Sequence, residues 1–295
     1  MRRWEQYFTP QSLEEAIFLL DKYKGAGKII GGGTDLIPQF RDNKEESKYL
    51  VDVTQIPEMK EISLLEDSFV IGGAVTHAQL AGSQDVYNYA QVLAEATVCV
   101  GSPQIRNMGT ISGNIVNAQP AADGAIALTA LDAQVHITSA DGEKVVPITE
   151  LYRGVGKSKV DSTIEVISKI EFKKIDKVQN VSSAFERLAS RKALALPMVN
   201  VAVCLKTTGG QFDWARIAIG PVAQMPFRPF LIEDELRGMP TDEESIRIIA
   251  EEVSQLVQPR SSKLRGSADY RKEMVKVLVG RALMKAIARL GSEPY

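Results

Sequence analysis

Two short glycine-containing stretches, about 75 residues apart, constrain this chain more than any other feature. The first runs Lys28-Ile29-Ile30-Gly31-Gly32-Gly33-Thr34-Asp35-Leu36. It is typical of a buried strand end, a tight turn and the start of a short helix. Three consecutive glycines permit positive φ and let a ligand approach the backbone closely. Outward-pointing amides beside a helix start suit an anion such as phosphate, so this turn is a candidate phosphate cradle.

The second stretch is Gly109-Thr110-Ile111-Ser112-Gly113-Asn114-Ile115. It offers the same chemistry through two small hydroxyls, a glycine and an asparagine side chain that both donates and accepts. Two such loops in one domain would hold a pyrophosphate from both sides. Each stretch alone is equally compatible with an ordinary glycine turn, and that alternative stays open at this point.

Composition excludes several classes of function. The chain has 295 residues, 44% of them hydrophobic and 24% charged, and a formal net charge of −2, which provides no basic field for nucleic acid. Two cysteines without a CxxC pair, and two histidines, make a protein-built zinc or iron–sulfur site improbable. With no signal peptide at the N-terminus and no apolar run approaching the roughly 20 residues of a membrane span, we expect a cytoplasmic protein.

Local patterns predict alternating helices and strands in the first part of the chain. Ser12 begins a helix with a capping box, and a turn around Gly142 joins a hairpin. Thr76 opens a small helix in which His77 is interpreted as a capping or packing residue rather than a catalyst. The further predicted segments are strands at 28–30, 49–53, 61–65, 69–71, 134–138, 144–146 and 161–173, and helices at 13–23, 35–41, 86–98 and 123–131.

Residues 173–180 form the best candidate domain boundary. Beyond them the sequence predicts strands at 184–189, 199–206 and 214–219, followed by helices at 229–237, 241–257 (with a capping box from Thr241 to Glu244) and 268–290. This is an α+β module of three strands and a helical cluster.

Asp123 begins an alanine-rich helix, where it is either a helix cap or a carboxylate that accepts hydroxyls of a sugar or ribityl chain; the pattern alone favours the cap. The chain has no Gly-x-Gly-x-x-Gly dinucleotide fingerprint, no Walker A lysine, no Gly-x-Ser-x-Gly and no convincing acid/base pair. The sequence therefore indicates a bound cofactor that carries the chemistry.

Taken together, these motifs resemble the FAD-binding medium subunit of molybdenum hydroxylases, the group that includes the flavin subunits of xanthine, carbon monoxide and nicotinate dehydrogenases. The resemblance covers essentially the whole chain. It is carried by the segments 30–36, 102–115, 120–123, 131–133, 191–197 and 259–271.

The resemblance implies an α+β fold: a two-subdomain FAD-binding domain of the PCMH or vanillyl-alcohol-oxidase type, with FAD held between the subdomains. A small C-terminal domain follows, with a three-stranded antiparallel sheet and a helical cluster. The implied division is 1–176, with subdomains of about 1–55 and 56–176, and then 177–295.

The resemblance also implies the cofactor site, with non-covalent FAD, no metal and no catalytic side chain. The pyrophosphate and ribityl chain would contact the two glycine stretches, and Asp123 would accept cofactor hydroxyls, which reverses the preference for a cap. Val100 and Gly101 match positions beside the adenine or flavin pocket, and Leu196 matches the side chain over the isoalloxazine. The implied set is Lys28, Ile29, Ile30, Gly31, Gly32, Gly33, Thr34, Asp35, Leu36, Val100, Gly101, Ile105, Gly109, Thr110, Ser112, Gly113, Asn114, Asp123 and Leu196.

Two positions depart from the family pattern. Ser112 stands where the family usually has a glycine, so its Cβ needs room. Pro197, directly after Leu196, is unexpected beside a side chain that covers the flavin.

The function implied is electron transfer from [2Fe–2S] clusters on a partner chain, through FAD, to NAD⁺ or another acceptor. A molybdopterin-binding large subunit would be the other partner. The alternatives are a stand-alone flavin oxidoreductase, with Arg187, Arg191 or Arg228 as the cation over the flavin, and a non-catalytic assembly protein. The stand-alone oxidoreductase would turn over small substrates without a partner chain, and the assembly protein would be colourless because it binds no FAD.

Overall fold

The computed structural model describes residues 4–191, 194–262 and 265–290. Their contacts divide them into two units, each built from separated pieces of chain. Unit 1 comprises the described residues of Met1–Leu80, Ser102–Ala118 and Asp132–Lys173. Unit 2 comprises those of Ala81–Gly101, Gln119–Leu131 and Lys174–Tyr295. The single division expected at residue 176 stays a prediction. By their contacts, residues 81–101 and 119–131 belong to the same unit as the C-terminal part of the chain.

The strands are β1 (Gln6–Phe8), β2 (Gly27–Ile30), β3 (Tyr49–Asp52), β4 (Ile62–Leu64), β5 (Ser68–Gly72), β6 (Gln134–Ser139), β7 (Gly142–Pro147), β8 (Tyr152–Gly154), β9 (Lys157–Ser158), β10 (Val166–Lys173), β11 (Val181–Ala189), β12 (Pro197–Thr208) and β13 (Gln211–Gly220).

The helices are α1 (Leu13–Lys22), α2 (Leu36–Arg41), α3 (His77–Gly82), α4 (Gln84–Tyr89), α5 (Gln91–Val98), α6 (Pro103–Met108), α7 (Ile111–Val116), α8 (Asp123–Ala130), α9 (Phe230–Glu235), α10 (Glu243–Leu256) and α11 (Ala268–Ala288). Short 3₁₀ turns lie at Val53–Gln55, Pro57–Lys60, Ile148–Glu150 and Lys177–Gln179. In the described residues, no helix has the length and apolar character needed to cross a bilayer.

Unit 1 contains two principal sheets. A parallel sheet has the order β1-β3-β2, and an antiparallel sheet has the order β4-β5-β10-β6-β7. Helix α1 begins where predicted, because the Ser12 hydroxyl accepts the Glu15 amide at 3.1 Å. Its apolar face, with Ala16 and Leu20, packs in a core with Val51 of β3. The hairpin turn is also confirmed, with Gly142 at φ +118°.

Unit 2 contains the predicted three-stranded antiparallel sheet, in the order β11-β12-β13. Apolar side chains of β12 and β13 form one core with α9, α10 and α11. Helix α8 contacts β12 and β13. Gly220, the last residue of β13, has to be glycine, because an added Cβ would lie 2.5 Å from the Pro120 carbonyl oxygen. The predicted α+β class and its C-terminal sheet with a helical cluster are therefore confirmed.

The single helix predicted at 86–98 is wrong: the chain forms α4 and α5, with a break at Ala90 (φ −151°). The Tyr89 carbonyl accepts the amide of Ile175 at 2.8 Å, a partner distant in sequence. Because this hydrogen bond joins residues far apart in the sequence, no local sequence pattern predicts the break.

Two other boundaries differ from expectation. Strand β10 begins only at Val166, because Asp161 forms a turn in which its side chain accepts the Thr163 amide at 3.0 Å. Helix α10 is capped by Asp242, whose side chain accepts the Ser245 amide at 2.8 Å, and not by Thr241. The Thr241 hydroxyl instead donates to the Gly210 carbonyl at 3.1 Å.

Glu95 on α5 joins three elements of unit 2. Its carboxylate accepts the Phe185 amide of β11 at 2.9 Å and forms ion pairs with Lys285 and Arg289 at the C-terminal end of α11. Removing the carboxylate would leave a backbone donor and two cations without their shared acceptor.

We therefore expect Glu95→Ala to lower the free energy of unfolding by about 2–3 kcal/mol, measured by urea denaturation. Glu66→Ala, at an exposed turn, serves as the control and is expected to change it by less than about 0.5 kcal/mol. Equal effects of the two substitutions would contradict this role for Glu95.

Candidate functional site

The first glycine stretch follows the buried end of β2, as predicted. Ile30 is the last residue of the strand, Gly33 adopts φ +66°, and α2 begins at Leu36. The turn therefore needs glycine at position 33, since a side chain at this φ is strained.

The amides of 32–36 are available to a ligand. In the part of the chain that the structure describes, none of these five donates a hydrogen bond to a backbone carbonyl. Consecutive unpaired amides around a turn form an anion-binding concavity. Helix α2 has only six residues, so an anion at this turn would depend on the amides themselves rather than on a helix dipole.

The second glycine stretch packs directly against the first. An ideal Cβ on Gly32 would lie 1.6 Å from the Met108 carbonyl oxygen, and one on Gly31 would lie 2.7 Å from the Thr110 hydroxyl. Position 32 therefore requires glycine because two backbones pack together there, and position 31 faces the Thr110 side chain, in both cases independently of any ligand. The structure thus brings together the two stretches that the sequence singled out.

The second stretch differs from the first in its backbone amides. It forms the first turn of α7, which Thr110 caps by accepting the Gly113 amide at 3.2 Å. The Ile111 and Ser112 amides donate to the carbonyls of Val75 (2.9 Å) and Gly73 (3.3 Å). The amides of 111–114 therefore already have acceptors within the protein.

The Cβ of Ser112 has room in the structure. It lies half-buried in the regular first turn of α7, with no positive φ, so the helix accepts serine where the family usually has glycine. Asn114 follows in the same helix, and its backbone amide donates to the Thr110 carbonyl at 3.0 Å.

His77 is the buried first residue of α3, and Thr76 caps this helix by accepting the Gln79 amide at 3.2 Å. The His77 amide donates to the Gly109 carbonyl at 3.0 Å. Burial, with a smaller effect of Arg106, lowers the pKa of His77 to about 4. A neutral, buried imidazole agrees with its predicted packing role.

Asp123 in unit 2 is not a helix cap. The N-cap of α8 is Ala122, and Asp123 is a buried residue of the first turn. Its Oδ1 accepts Nδ2 of Asn200 at 2.6 Å and Nε of Arg187 at 3.3 Å. Burial raises the pKa of Asp123 to about 6, although both partners act in the opposite direction.

The other predicted residues are distributed between the units. Gly101 adopts φ +49° in the link between α5 and α6, directly after Val100. Ile105 lies on α6 of unit 1 and is partly exposed. Leu196 is 66% exposed, and Pro197 begins β12 directly after it, a position where a strand tolerates proline. Lys192 and Ala193, quoted for the same motif, lie outside the described residues.

Asn200 is the residue that sequence reasoning missed. It is fully buried in β12, directly opposite Arg187 in the pairing of β11 with β12. The signal was present: a single amide in the apolar run Val199–Leu205 needs a buried polar partner. Arg187 was considered only as a cation over the flavin.

The arginines considered for a stand-alone oxidoreductase have partners within unit 2. Arg228 pairs with the buried Glu233, Arg187 pairs with Asp123, and Arg191 donates to the Leu194 carbonyl at 3.2 Å. Within the described ranges, no group of three or more His, Cys, Asp or Glu residues is placed to hold a metal ion.

Two family models match the chain. One, described as the FAD binding domain in molybdopterin dehydrogenase, matches residues 3–172. The other, described as the CO dehydrogenase flavoprotein C-terminal domain, matches residues 184–286.

Similar proteins cover nearly the whole chain. The nicotinate dehydrogenase FAD-subunit of Eubacterium barkeri is 32% identical over 92% of both chains. The xanthine dehydrogenase FAD-binding subunit of Escherichia coli O157:H7 is 31% identical over 97% of both. Among solved structures, a chain of the carbon monoxide dehydrogenase from Hydrogenophaga pseudoflava has a TM-score of 0.90 at 29% identity, covering 98% of both chains.

The backbone contact at Gly32 gives a stability prediction. We expect Gly32→Ala to lower the free energy of unfolding by more than about 3 kcal/mol, because the new Cβ would meet main-chain atoms that cannot rotate away. Gly82→Ala, at a position with open space, is the matched control and should be neutral or stabilising by up to about 1 kcal/mol. Thermal and urea unfolding would measure both, and an equally mild effect at position 32 would contradict the packing.

The buried Asp123 carboxyl gives a pH prediction for the cofactor-free protein. Its pKa in the folded chain, about 6, lies above the unfolded value of 3.8, so its stabilising contribution is present below pH 4 and is lost as the pH rises through 6. We expect the unfolding free energy of the wild type, minus that of Asp123→Asn, to fall by roughly 2–3 kcal/mol from pH 4 to pH 7. If this difference in unfolding free energy does not change between pH 4 and pH 7, the raised pKa of Asp123 is excluded.

Proposed function

Because this chain belongs to the family of FAD-binding medium subunits of molybdenum hydroxylases, we propose that it carries electrons from [2Fe–2S] clusters of a partner chain, through FAD, to NAD⁺ or another acceptor. As a member of this family it is an oxidoreductase flavoprotein subunit with FAD as its cofactor. FAD supplies the redox chemistry when bound, and the protein supplies binding, orientation and electrostatics.

The observation that carries the proposal is the turn at 31–35. Its amides at 32–36, which donate to no backbone carbonyl of the described residues, match the charge of a pyrophosphate. In unit 1 we assign pyrophosphate binding to Gly31, Gly32, Gly33, Thr34 and Asp35. Lys28, Ile29, Ile30 and Leu36 support this turn from both sides.

The helices that buttress the turn contribute side chains. We assign contacts with the pyrophosphate and ribityl chain to Thr110, Ser112 and Asn114, with Gly109 and Gly113 allowing close approach. Since the amides of 111–114 have acceptors within the protein, we assign the hydrogen bonds of these residues with a ligand to their hydroxyl and amide side chains. Ile105 on α6 provides an adjacent apolar contact.

In unit 2 we assign to Asp123 the role of accepting cofactor hydroxyls. Two donors hold its carboxylate in one orientation, as a buried acceptor for a ligand requires. Val100 and Gly101 would flank the adenine or flavin pocket, and Leu196 would cover the isoalloxazine.

Partner chains must supply the remaining redox centres. The sequence has two cysteines, Cys99 and Cys204, too few to ligate a [2Fe–2S] cluster through four thiolates. Relatives named as medium chains occur in carbon monoxide dehydrogenase and glyceraldehyde dehydrogenase. We therefore propose an iron–sulfur subunit and a molybdopterin-binding large subunit as partners, in a reducing compartment such as the cytoplasm.

A ligand series tests the turn at 31–35. Displacement of FAD by ADP and by adenosine isolates the pyrophosphate, because the two competitors differ only in that group. We expect ADP to compete at least about a hundredfold better than adenosine, as several charge-assisted hydrogen bonds would give. Equal competition by ADP and adenosine would contradict the assignment of pyrophosphate binding to the turn at 31–35.

The electron path is tested on the complex purified from its native cell. We expect iron–sulfur and molybdenum chains to co-purify with the yellow protein, and NADH to reduce the flavin under anaerobic conditions if NAD⁺ is the acceptor. A yellow chain that purifies alone and oxidises small substrates would instead support a stand-alone flavoenzyme. A colourless chain that takes up no FAD would leave only an assembly role.

A further inference from the structure

His77 is a buried side chain of unit 1 that the first turn of α3 does not require. Thr76 caps this helix: its hydroxyl accepts the Gln79 amide at 3.2 Å, and Oε1 of Gln79 accepts the Thr76 amide at 2.9 Å. The bond from His77 to the Gly109 carbonyl uses the backbone amide, which any residue except proline would provide. Neither capping nor backbone pairing therefore explains why an imidazole stands at this position.

Neither ring nitrogen of His77 has a hydrogen-bond partner among the described residues. The residue is 2% exposed, and its Nδ1 is buried. In native structures such polar atoms are nearly always paired with protein, water or a ligand. A buried imidazole without a protein partner is therefore a candidate side chain for binding a ligand.

The ring lies beside the turn at 31–35. A Cβ added to Gly109 would lie 3.4 Å from Cδ2 of His77 and 3.5 Å from the Thr34 hydroxyl, so both side chains approach the same point. Thr34 belongs to the stretch whose amides at 32–36 have no backbone acceptor among the described residues. Because Nε2 is bonded to Cδ2 and Nδ1 lies across the ring, the Nε2 edge of the imidazole is the one nearer to this turn.

The surroundings of the imidazole keep it neutral and decide which nitrogen carries the proton. Burial, with a smaller effect of Arg106, lowers the pKa of His77 to about 4, so near neutral pH the ring has one N–H and one bare nitrogen. A proton on Nδ1 would be a buried donor without a partner, which is less well tolerated than an unpaired acceptor. The proton therefore belongs on Nε2, at the edge nearer to the turn.

We propose that His77 is a further cofactor-binding residue, which donates a hydrogen bond from Nε2 to a phosphate oxygen of the dinucleotide held at the turn 31–35. The inference rests on the proposed function, since it requires a pyrophosphate at that turn. The amides of the turn supply donors from one chain segment, and the imidazole adds a donor from another. Because this donor is neutral, it binds the phosphate without placing a second positive charge beside Arg106.

Three substitutions at position 77 test this donor in the full chain. His77→Gln places an amide nitrogen near the position of Nε2, His77→Asn places one near that of Nδ1, and His77→Phe keeps a ring without a donor. We expect the phenylalanine and asparagine variants to bind FAD and ADP about tenfold or more weakly than the wild type, and the glutamine variant to recover most of the affinity. Flavin fluorescence measures FAD binding, and displacement of FAD measures the affinity for ADP.

Adenosine separates binding of the pyrophosphate from a structural role. It lacks the group that His77 would contact, so its affinity should stay within about twofold of the wild-type value in all three variants. The control substitution is His136→Gln, which changes the other histidine of the chain, on β6. This control should leave the affinities for FAD, ADP and adenosine unchanged.

A spectroscopic measurement needs no change at position 77. The chain has two histidines, so in ¹⁵N-histidine spectra His136→Gln leaves only the imidazole signals of His77. We expect a neutral ring protonated on Nε2 in the FAD-free chain, and a downfield-shifted, slowly exchanging Nε2 proton once ADP is bound. A ring protonated on Nδ1, or an Nε2 signal that ADP leaves unchanged, would overturn the assignment.

The outcomes separate this inference from the function on which it rests. Wild-type protein that takes up no FAD refutes the proposed function, whereas ADP that competes no better than adenosine refutes the pyrophosphate assignment and the role of His77 with it. Wild-type affinities for FAD and ADP in His77→Phe refute the role of His77 alone, and equal losses for ADP and adenosine show a structural role instead. If His77→Phe fails to fold, the comparison of His77→Gln with His77→Asn and the histidine spectra decide.

Discussion

The close approach of two backbones in unit 1 is the constraint on which the candidate site depends. Gly32 lies directly against the main chain of Met108, and Gly31 lies against the Thr110 side chain, so the turn after β2 packs on the α6–α7 connection. Any other residue at position 32 would push main chain against main chain. Because the contact fixes the turn from behind, its amides at 32–36 are held in place before a ligand arrives, which reduces the ordering required for binding.

The two glycine stretches look alike in sequence and act differently. In the first, the backbone leaves its donors unpaired; in the second, Gly73 and Val75 accept those donors and Thr110 caps the helix. Similar composition therefore produces one turn with unpaired amides and one helix start whose amides at 111–114 have acceptors within the protein. Because Ser112 lies in a regular helical turn without a positive φ, the helix accepts its Cβ.

What the sequence predicted correctly depends on local chemistry. Ser12 as a helix cap, Gly142 in a hairpin and the alternating strands of the C-terminal sheet each need only a few neighbouring residues. The failures depend on partners far along the chain. The break at Ala90 follows from the bond between Tyr89 and Ile175, and the pairing of Asn200 with Asp123 follows from the packing of α8 against β12. A pattern within a short window can show that Asn200 needs a buried partner, but it does not identify that partner.

The interleaved course of the chain has a consequence for biosynthesis. Unit 2 receives α5 and α8 from pieces of chain that emerge long before β11, β12 and α11 are made. A nascent chain ending near residue 176 therefore carries two largely apolar helices, which contact each other but lack their partner strands β11, β12 and β13. Until these strands are made, the helix surfaces that they will cover stay open to chaperones and to aggregation.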